Sequence, residues 1–505
     1  MLRTSPAAAR PGPARCRTAV DFARSTEGTR EARDMSQDDP VVPSRAVVLR
    51  ALDAFQDRVR RMVGSAARSS SSRLALLVFT AIIGVFTALL SLPIATVEGT
   101  RTPFVDALFT AVSATTVTGL VTLDTGTHWS TFGLTVIMVS MKVGGLGVLT
   151  LASLLGLSVM RQMGLAQRVI TASETKAEKL AEVGSVLRTI VITSTSFELL
   201  TFLALAPFML ATDHPVGESI FLGMFYAISA FNNGGFVPEA AGTAQYVADP
   251  SFGIPVALAV FVGSLGFPVI LVLVARWRTP RRWSLHAKLT LSTSGILFGA
   301  GFLGYLVMEW SNPATLGPHD VGTKILASVF AAVMPRSGGL STIDIGALND
   351  DTLLFTDLLM FIGGGSGSTG GGIKVTTFAL LILALVAEAR GDRDVEVFGR
   401  SIPQETIRQA IGVLFMSAAV VFVATFVMLR LTSFELDEVL FESLSAFGTV
   451  GLSMGITADL PTSAKYVLIV CMYVGRIGPM SLGAALALRS RARRVRLPEE
   501  RPIVG

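Results

Sequence analysis

The sequence predicts an all-α polytopic membrane protein with four pseudo-symmetric repeats around one central pore. Each repeat is a span, a re-entrant pore helix and a second span, giving eight transmembrane helices and four pore helices. One observation is composition: 51% of the residues are hydrophobic and 16% are charged, whereas soluble domains average about 25% charged residues. The other is a short glycine-containing segment that occurs four times between long apolar blocks.

The apolar blocks are long enough to span a membrane. A hydrocarbon core of roughly 30 Å takes about 20 helical residues. Taken in pairs, the blocks define repeats at 74–160, 187–275, 286–387 and 408–488. The eight blocks lie at 74–97, 130–160, 187–212, 252–275, 286–310, 353–387, 408–431 and 464–488.

The basic residues are segregated along the chain. The connections 161–188, 276–288 and 388–408 each hold four or five Lys and Arg, and the tail 489–505 holds six Arg, whereas 213–251 holds none. The positive-inside rule therefore predicts that both termini and these three connections are cytoplasmic. We interpret the net charge of +5 as a sign of topology and contact with membrane lipids, and we expect no nucleic-acid partner.

The first 73 residues read as a basic, partly disordered cytoplasmic tail without a signal peptide. Met35 is an alternative start. Residues 45–63 fit either an amphipathic helix on an anionic membrane surface or a solvated helix. Cys16 and Cys471 indicate neither a disulfide framework nor a metal site.

Four segments align in register, each between two apolar blocks. Three begin with Phe, three share Ser-Ala at the fifth and sixth positions, and all have Gly at the eleventh. Those glycines are separated by 116, 104 and 112 residues. The segments are FTAVSATTVTGL (109–120), FYAISAFNNGGF (225–236), VFAAVMPRSGGL (329–340) and FESLSAFGTVGL (441–452).

These segments are too short to cross a membrane, so we interpret them as pore helices that descend partway and return as extended backbone. Such backbone is tolerated at membrane depth only where it lines an aqueous path or is buried in protein. A ring of its carbonyls can replace the hydration shell of a cation, and the C-terminal ends of the helices add partial negative charge. The alternative is that the glycine turns merely connect helices.

A second glycine pattern follows three of these segments. It reads VGGLGV (143–148), VGSLGFPV (262–269) and VGRIGPMS (474–481). Close helix packing is one explanation. In the third repeat, residues 363–372 hold seven glycines, and Gly costs about 1 kcal/mol per helical position relative to Ala. We therefore predict an unwound loop in mid-membrane below the filter.

A phosphate-binding loop is the alternative for this stretch, and its spacing argues against it. A Walker A motif needs Gly-Lys-Ser/Thr, but here Ile373 precedes Lys374 and Val375 replaces the hydroxyl residue. The flanking blocks are also apolar, without the expected strand.

Four charged residues fall within or near spans: Lys142, Glu198, Lys374 and Arg476. A charge at the bilayer centre costs at least ~2.5–3.5 kcal/mol, so each is a functional candidate. Arg476 has three possible roles: a positive barrier beside the loop, a hydrogen-bond donor to the loop carbonyls, or a structural partner of Glu198. Lys142 and Lys374 could equally extend to water.

Jointly, these motifs resemble the membrane subunits of the Trk/Ktr/HKT potassium transporter superfamily, over about residues 74–488, and most closely the Ktr type. The resemblance implies a selectivity filter that binds the transported ion K⁺, and a gate. Gly119, rather than Ser, favours K⁺ over Na⁺; Pro335 departs from the pattern. The implied filter residues are Thr116, Val117, Thr118, Gly119, Asn232, Asn233, Gly234, Gly235, Arg336, Ser337, Gly338, Gly339, Gly448, Thr449, Val450 and Gly451. The implied gate residues are Gly363, Gly364, Gly365, Ser366, Gly367, Ser368, Thr369, Gly370, Gly371, Gly372, Lys374 and Arg476.

The resemblance also implies partners: a homodimer, and a cytoplasmic nucleotide-binding regulatory subunit of the TrkA/KtrA type that forms an RCK ring. It implies no covalent cofactor, and Na⁺ is a candidate coupling ion. The rival interpretations are a secondary transporter with inverted repeats, a membrane enzyme, and a sodium or non-selective channel or symporter of the same fold. The four repeats are parallel, which disfavours the first. The sequence offers no nucleophile-base pair, metal-ligand cluster or nucleotide motif for the second, so we expect no enzyme activity.

Overall fold

The computed structural model describes residues 71–147 and 178–478, and these are mostly helical, with a single two-stranded hairpin among them. The predictions for residues 1–70, for 148–177 and for the tail from 479 lie outside the described residues. The helices of repeat 1 are α1 (Ser71–Leu90), α2 (Phe104–Thr116), α3 (Thr125–His128) and α4 (Thr131–Gly145). Those of repeat 2 are α5 (Glu178–Leu210), α6 (Val216–Phe231), α7 (Pro250–Leu265) and α8 (Phe267–Arg276).

Repeats 3 and 4 follow the same order of elements. Repeat 3 has α9 (Leu285–Met308), α10 (Val321–Val333), α11 (Asp350–Phe361) and α12 (Val375–Arg390). An antiparallel hairpin of β1 (Val395–Val397) and β2 (Arg400–Ile402) follows. Repeat 4 has α13 (Gln404–Leu431), α14 (Leu436–Gly448) and α15 (Thr462–Ile477). Short 3₁₀ turns lie at Pro93–Ala95, Thr243–Tyr246, Pro280–Arg282 and Ile345–Ala347.

Two of the predicted spans are not single helices. Three described helices, 188–210, 285–308 and 404–431, are long and apolar enough to cross a membrane alone. The block 252–275 bends by 102° between α7 and α8, and the block 353–387 is interrupted between α11 and α12. The blocks 130–160 and 464–488 extend past the described residues, so the count of eight crossings stays a prediction.

The packing of the pore helices is cyclic. The pore helices α2, α6, α10 and α14 each contact the second helix of the preceding repeat, and α15 of repeat 4 contacts α2 of repeat 1. An ion pair between Lys465 Nζ and Asp106 Oδ1, at 2.8 Å, joins this last contact. The four pore helices therefore surround one common region.

The second glycine pattern has two structural uses. A Cβ on Gly144, Gly263 or Gly475 would lie 2.0, 2.1 or 1.8 Å from a carbonyl oxygen at the end of a pore helix, so the packing explanation holds for these three. The last glycine of each motif ends its helix with a positive φ, which residues with a Cβ rarely adopt. Those glycines are Gly147 (+88°), Gly266 (+93°) and Gly478 (+88°).

Candidate functional site

The four filter segments share one backbone conformation. In every repeat the second and fourth filter residues have positive φ. Left-handed conformations cost residues with a Cβ roughly 1–2 kcal/mol. The surrounding packing must therefore stabilise this conformation at the second filter residue of each repeat. The second residues are Val117 (+58°), Asn233 (+59°), Ser337 (+76°) and Thr449 (+48°), and the fourth are Gly119 (+96°), Gly235 (+69°), Gly339 (+71°) and Gly451 (+95°).

The four glycines meet each other. A Cβ on Gly119 or on Gly339 would lie 2.8 Å from the Cα of Gly235, and a Cβ on Gly451 would lie 3.1 Å from the Cα atoms of Gly119 and Gly339. A side chain at this position would therefore displace the neighbouring filter segment in any repeat. The four glycines, each more than 100 residues from the next in sequence, lie side by side.

Backbone carbonyl oxygens lie beside these glycines. The oxygens of Thr118, Gly234 and Val450 each lie within 3.2 Å of a position that a Cβ on a neighbouring filter glycine would take. These oxygens come from three different repeats. The arrangement can offer several carbonyl ligands to one cation, as in potassium filters.

Buried serine side chains form hydrogen bonds with the backbone of three filter segments. Ser113 Oγ accepts a hydrogen bond from Gly119 N at 3.0 Å, and Ser445 Oγ accepts one from Gly451 N at 3.1 Å. Ser229 Oγ donates to Phe236 O at 3.0 Å. Sequence reasoning missed this function, although the serines are the shared fifth residue of the aligned segments. Repeat 3 has Val333 in that place.

The predicted loop lies directly beneath the filter. The chain leaves helical geometry after Phe361 and returns at Val375. Gly371 N donates to Thr449 Oγ1 at 2.8 Å, and Thr369 Oγ1 lies 3.0 Å from Asn233 Oδ1. The loop therefore contacts filter side chains from repeats 2 and 4.

The other side of the loop is joined to the bend between α7 and α8. Gly365 N donates to Ser264 O at 2.7 Å, and Phe267 N donates to Gly367 O at 3.1 Å. The bend itself is at Gly266, where a Cβ would lie 2.8 Å from Ser366 O. A displacement of α8 thus acts directly on the loop.

Two basic side chains donate to the loop carbonyls. Lys374 Nζ donates to Gly370 O at 2.6 Å. The guanidinium group of Arg476 bonds to Thr369 O and to Gly144 O at the end of α4. Arg476 therefore links the loop to repeat 1, as one of the sequence interpretations expected.

The interpretation of Arg476 as a partner of Glu198 is wrong. Glu198 Oε2 pairs with Lys142 Nζ at 2.5 Å, and its Oε1 accepts from the filter residue Asn232 at 2.7 Å. Lys142 and Lys374, which the sequence also allowed to extend to water, both donate to protein acceptors. Glu198 instead fixes the amide orientation of a filter residue.

Arg336 contributes its backbone to the third filter segment, but its side chain is directed elsewhere. It is 1% exposed, its Nη1 donates to Ser294 O at 3.1 Å, and the guanidinium lies 5.2 Å from the ring centroid of Phe261. The side chain therefore packs between α7 and α9. The remaining predicted filter and gate residues lie in the filter segments and the loop described above.

Fold and site together define a helical membrane protein whose four pore segments meet at their glycines, with a glycine-rich loop hydrogen-bonded to two of them. The chain belongs to the TrkH family, described as cation transport protein, which it matches over residues 66–491. It is 38% identical to Ktr system potassium uptake protein B of Bacillus subtilis (strain 168), over 84% of this chain and 94% of that protein. It is 31% identical to the potassium/sodium uptake protein NtpJ of Enterococcus hirae, over 83% and 93%.

A solved structure has the same fold. The crystal structure of the potassium transporter TrkH from Vibrio parahaemolyticus superposes with a TM-score of 0.64 at 19% identity, covering 81% of this chain and 84% of that one. The prediction of an all-α membrane transporter fold of this family is therefore confirmed.

Proposed function

We propose that this chain forms the membrane pathway of a potassium-uptake system in a bacterial plasma membrane. The observation that carries the proposal is the meeting of Gly119, Gly235, Gly339 and Gly451 beside backbone carbonyl oxygens from three repeats. Potassium loses its water to these oxygens, and the membrane potential supplies about 2.3 kcal/mol per charge per 100 mV. The names of relatives such as Ktr system potassium uptake protein B support the choice of ion.

The loop at residues 363–372 is the gate in this proposal. Its hydrogen bonds to Asn233 and Thr449 hold it across the cytoplasmic exit of the filter. Arg476 and Lys374 donate to its carbonyls and add positive charge to the path. An ion passes only when the loop moves, and this requires that the loop's bonds to the filter, to Arg476 of α15 and to α7 be exchanged for others.

A regulatory subunit supplies the movement. The names of the Ktr relatives imply a system of several components. We infer that a cytoplasmic nucleotide-binding ring contacts the basic connections 161–188 and 388–408 and the tail from 489, and that two copies of this chain form the membrane dimer, with Na⁺ as a candidate coupling ion. The second candidate function is a sodium or non-selective monovalent cation pathway, which the name of the Enterococcus hirae relative favours.

The test is growth rescue of a potassium-uptake-deficient bacterium on low-potassium medium, with and without a co-expressed regulatory subunit. We expect rescue by the wild type that depends on the subunit, and a weakened preference for K⁺ over Na⁺ in Gly119→Ser. Gly84→Ser is the control, because a Cβ on Gly84 meets nothing within 4 Å. Absence of K⁺ uptake by correctly inserted protein with its subunit would overturn the assignment, and equal Na⁺ and K⁺ uptake would favour the second candidate.

A further inference from the structure

The cytoplasmic turn between α8 and α9 is strongly basic. Residues 276–288, here called the basic turn, contain five cations within 13 residues. Among the described residues, none of the five forms an ion pair with a carboxylate. The cations are Arg276, Arg278, Arg281, Arg282 and Lys288. This exposed positive charge has no acidic partner within the described residues, and it would attract an anionic partner outside them.

Exposed apolar side chains accompany the charge. Trp277 is 64% exposed and Val274 is 66% exposed. The guanidinium of Arg278 lies 4.6 Å from the ring centroid of Trp277, and Trp283 Nε1 donates to Arg276 O at 2.9 Å, which closes the turn. Tryptophan is enriched at headgroup depth, and adjacent basic and apolar side chains are typical of elements that lie in the membrane interface.

The bend explains how this element comes to lie along the membrane. Because α8 departs from α7 by 102°, a crossing orientation of α7 leaves α8 nearly parallel to the bilayer plane. The first half of α8 is buried, with Phe267, Val269 and Ile270 in the core. Its second half is exposed and leads into the basic turn.

We propose that the basic turn binds the headgroup of an anionic phospholipid of the cytoplasmic leaflet, and that this binding stabilises the loop beneath the filter. Arg278, Arg281 and Arg282 hold the phosphate through paired N–H donors, while Trp277 enters the interface beside it. An acidic protein surface would satisfy the arginines, but it would leave Trp277 and Val274 without an apolar environment.

The coupling to the loop runs through backbone atoms. At the bend, Phe267 N donates to Gly367 O, and Ser264 O accepts from Gly365 N. A lipid that holds α8 in the described position therefore also favours the described position of the loop. A ligand shifts such an equilibrium by its difference in affinity for the two states. This second part of the proposal rests on the proposed function, whereas lipid binding does not.

The first experiment measures binding without transport. Protein in mixed micelles is titrated with brominated phosphatidylglycerol or brominated phosphatidylcholine, and tryptophan fluorescence is recorded. The Trp277→Phe variant, which retains Trp129, Trp283 and Trp310, supplies the background. We expect stronger quenching by phosphatidylglycerol, weakened by high salt.

The variant Arg278→Gln/Arg281→Gln/Arg282→Gln tests the site. We expect half-maximal quenching at a phosphatidylglycerol concentration roughly 100-fold higher, since each cation near an anionic surface contributes about fivefold. The control Arg390→Gln/Arg393→Gln/Arg400→Gln removes equal charge from exposed positions in the next connection. Its fluorescence should be quenched at the same lipid concentration as that of the wild type.

The second experiment measures K⁺ flux in liposomes without the regulatory subunit. We expect lower flux with phosphatidylglycerol than with phosphatidylcholine alone, and no such difference in the triple arginine variant. Equal quenching by the two lipids would overturn the lipid site. If the triple arginine variant lost subunit binding while its quenching stayed unchanged, the turn would be assigned to an acidic protein, and the lipid site would again be overturned. Selective quenching with lipid-independent flux would overturn the coupling, whereas absence of flux in every membrane even after the regulatory subunit is added would refute the proposed function and leave the quenching result to decide the site.

Discussion

The hydrogen bond from Gly371 N to Thr449 Oγ1 offers a direct test of the gate. The substitution Thr449→Val removes the acceptor and nearly keeps the side-chain shape. Valine suits this backbone conformation, because Val117 occupies the same filter position in repeat 1 with φ +58°, close to the +48° of Thr449. The change should therefore act on the loop rather than on the fold of the filter.

The magnitude follows from the buried donor. Thr449 is fully buried, so Gly371 N–H would lose its partner without access to water while the loop stays beneath the filter. An unsatisfied buried donor costs about 1–3 kcal/mol. When the loop moves away, water can satisfy this N–H. The open population should rise roughly 5- to 150-fold, since 1.4 kcal/mol corresponds to a factor of ten.

The assay is Rb⁺ flux into K⁺-loaded liposomes without the regulatory subunit. We expect Thr449→Val to raise this basal flux and to reduce the additional effect of the subunit. Thr425→Val is the matched control, because the buried hydroxyl of Thr425 on α13 has no hydrogen-bond partner. Unchanged basal flux in a folded Thr449→Val protein would refute the idea that this bond holds the loop closed.

Three further outcomes are expected. Gly119→Ser should lower the K⁺/Na⁺ permeability ratio, because its Cβ would lie 2.8 Å from backbone atoms of the second filter segment; an unaltered ratio in bi-ionic flux assays would contradict the filter assignment. Gly475→Ala should lower the melting temperature in detergent, because its Cβ would lie 1.8 Å from a carbonyl oxygen, whereas Gly84→Ala should not. Glu198→Gln should destabilise the protein by about 1–3 kcal/mol by leaving Lys142 unpaired, and the added change Lys142→Met should recover part of this loss; additive effects in the double-mutant cycle would argue against the pair.

The filter and the loop could be predicted because each depends on glycine at fixed places. The positive φ of Gly451 and the close approach of Gly119 to Gly235 leave no alternative residue, so the requirement is visible in the sequence. Arg476 could be placed near the loop for a similar reason, since it lies within the repeated glycine pattern.

The partners of charged residues could not be predicted in the same way. Lys142 and Glu198 are 56 residues apart, and Arg476 fitted either partner equally well before the helices were packed. The bend at Gly266 was not predicted, although Gly266 and Pro268 lie within the second glycine pattern, because length and hydropathy report only that a segment avoids water. The direction of the Arg336 side chain depends on a gap between α7 and α9 that no local pattern encodes.

The difference of repeat 3 from the other three has an evolutionary consequence. In a channel made of four identical subunits, any inserted loop appears four times, and four copies cannot occupy one axis. Here the four quarters are covalently joined, so one quarter diverged to 363–372 while the others kept helices ending at Gly147, Gly266 and Gly478. Fusion of the repeats into one polypeptide thus allowed selection to change the exit of the pore in a single place, without altering the symmetric opening above it.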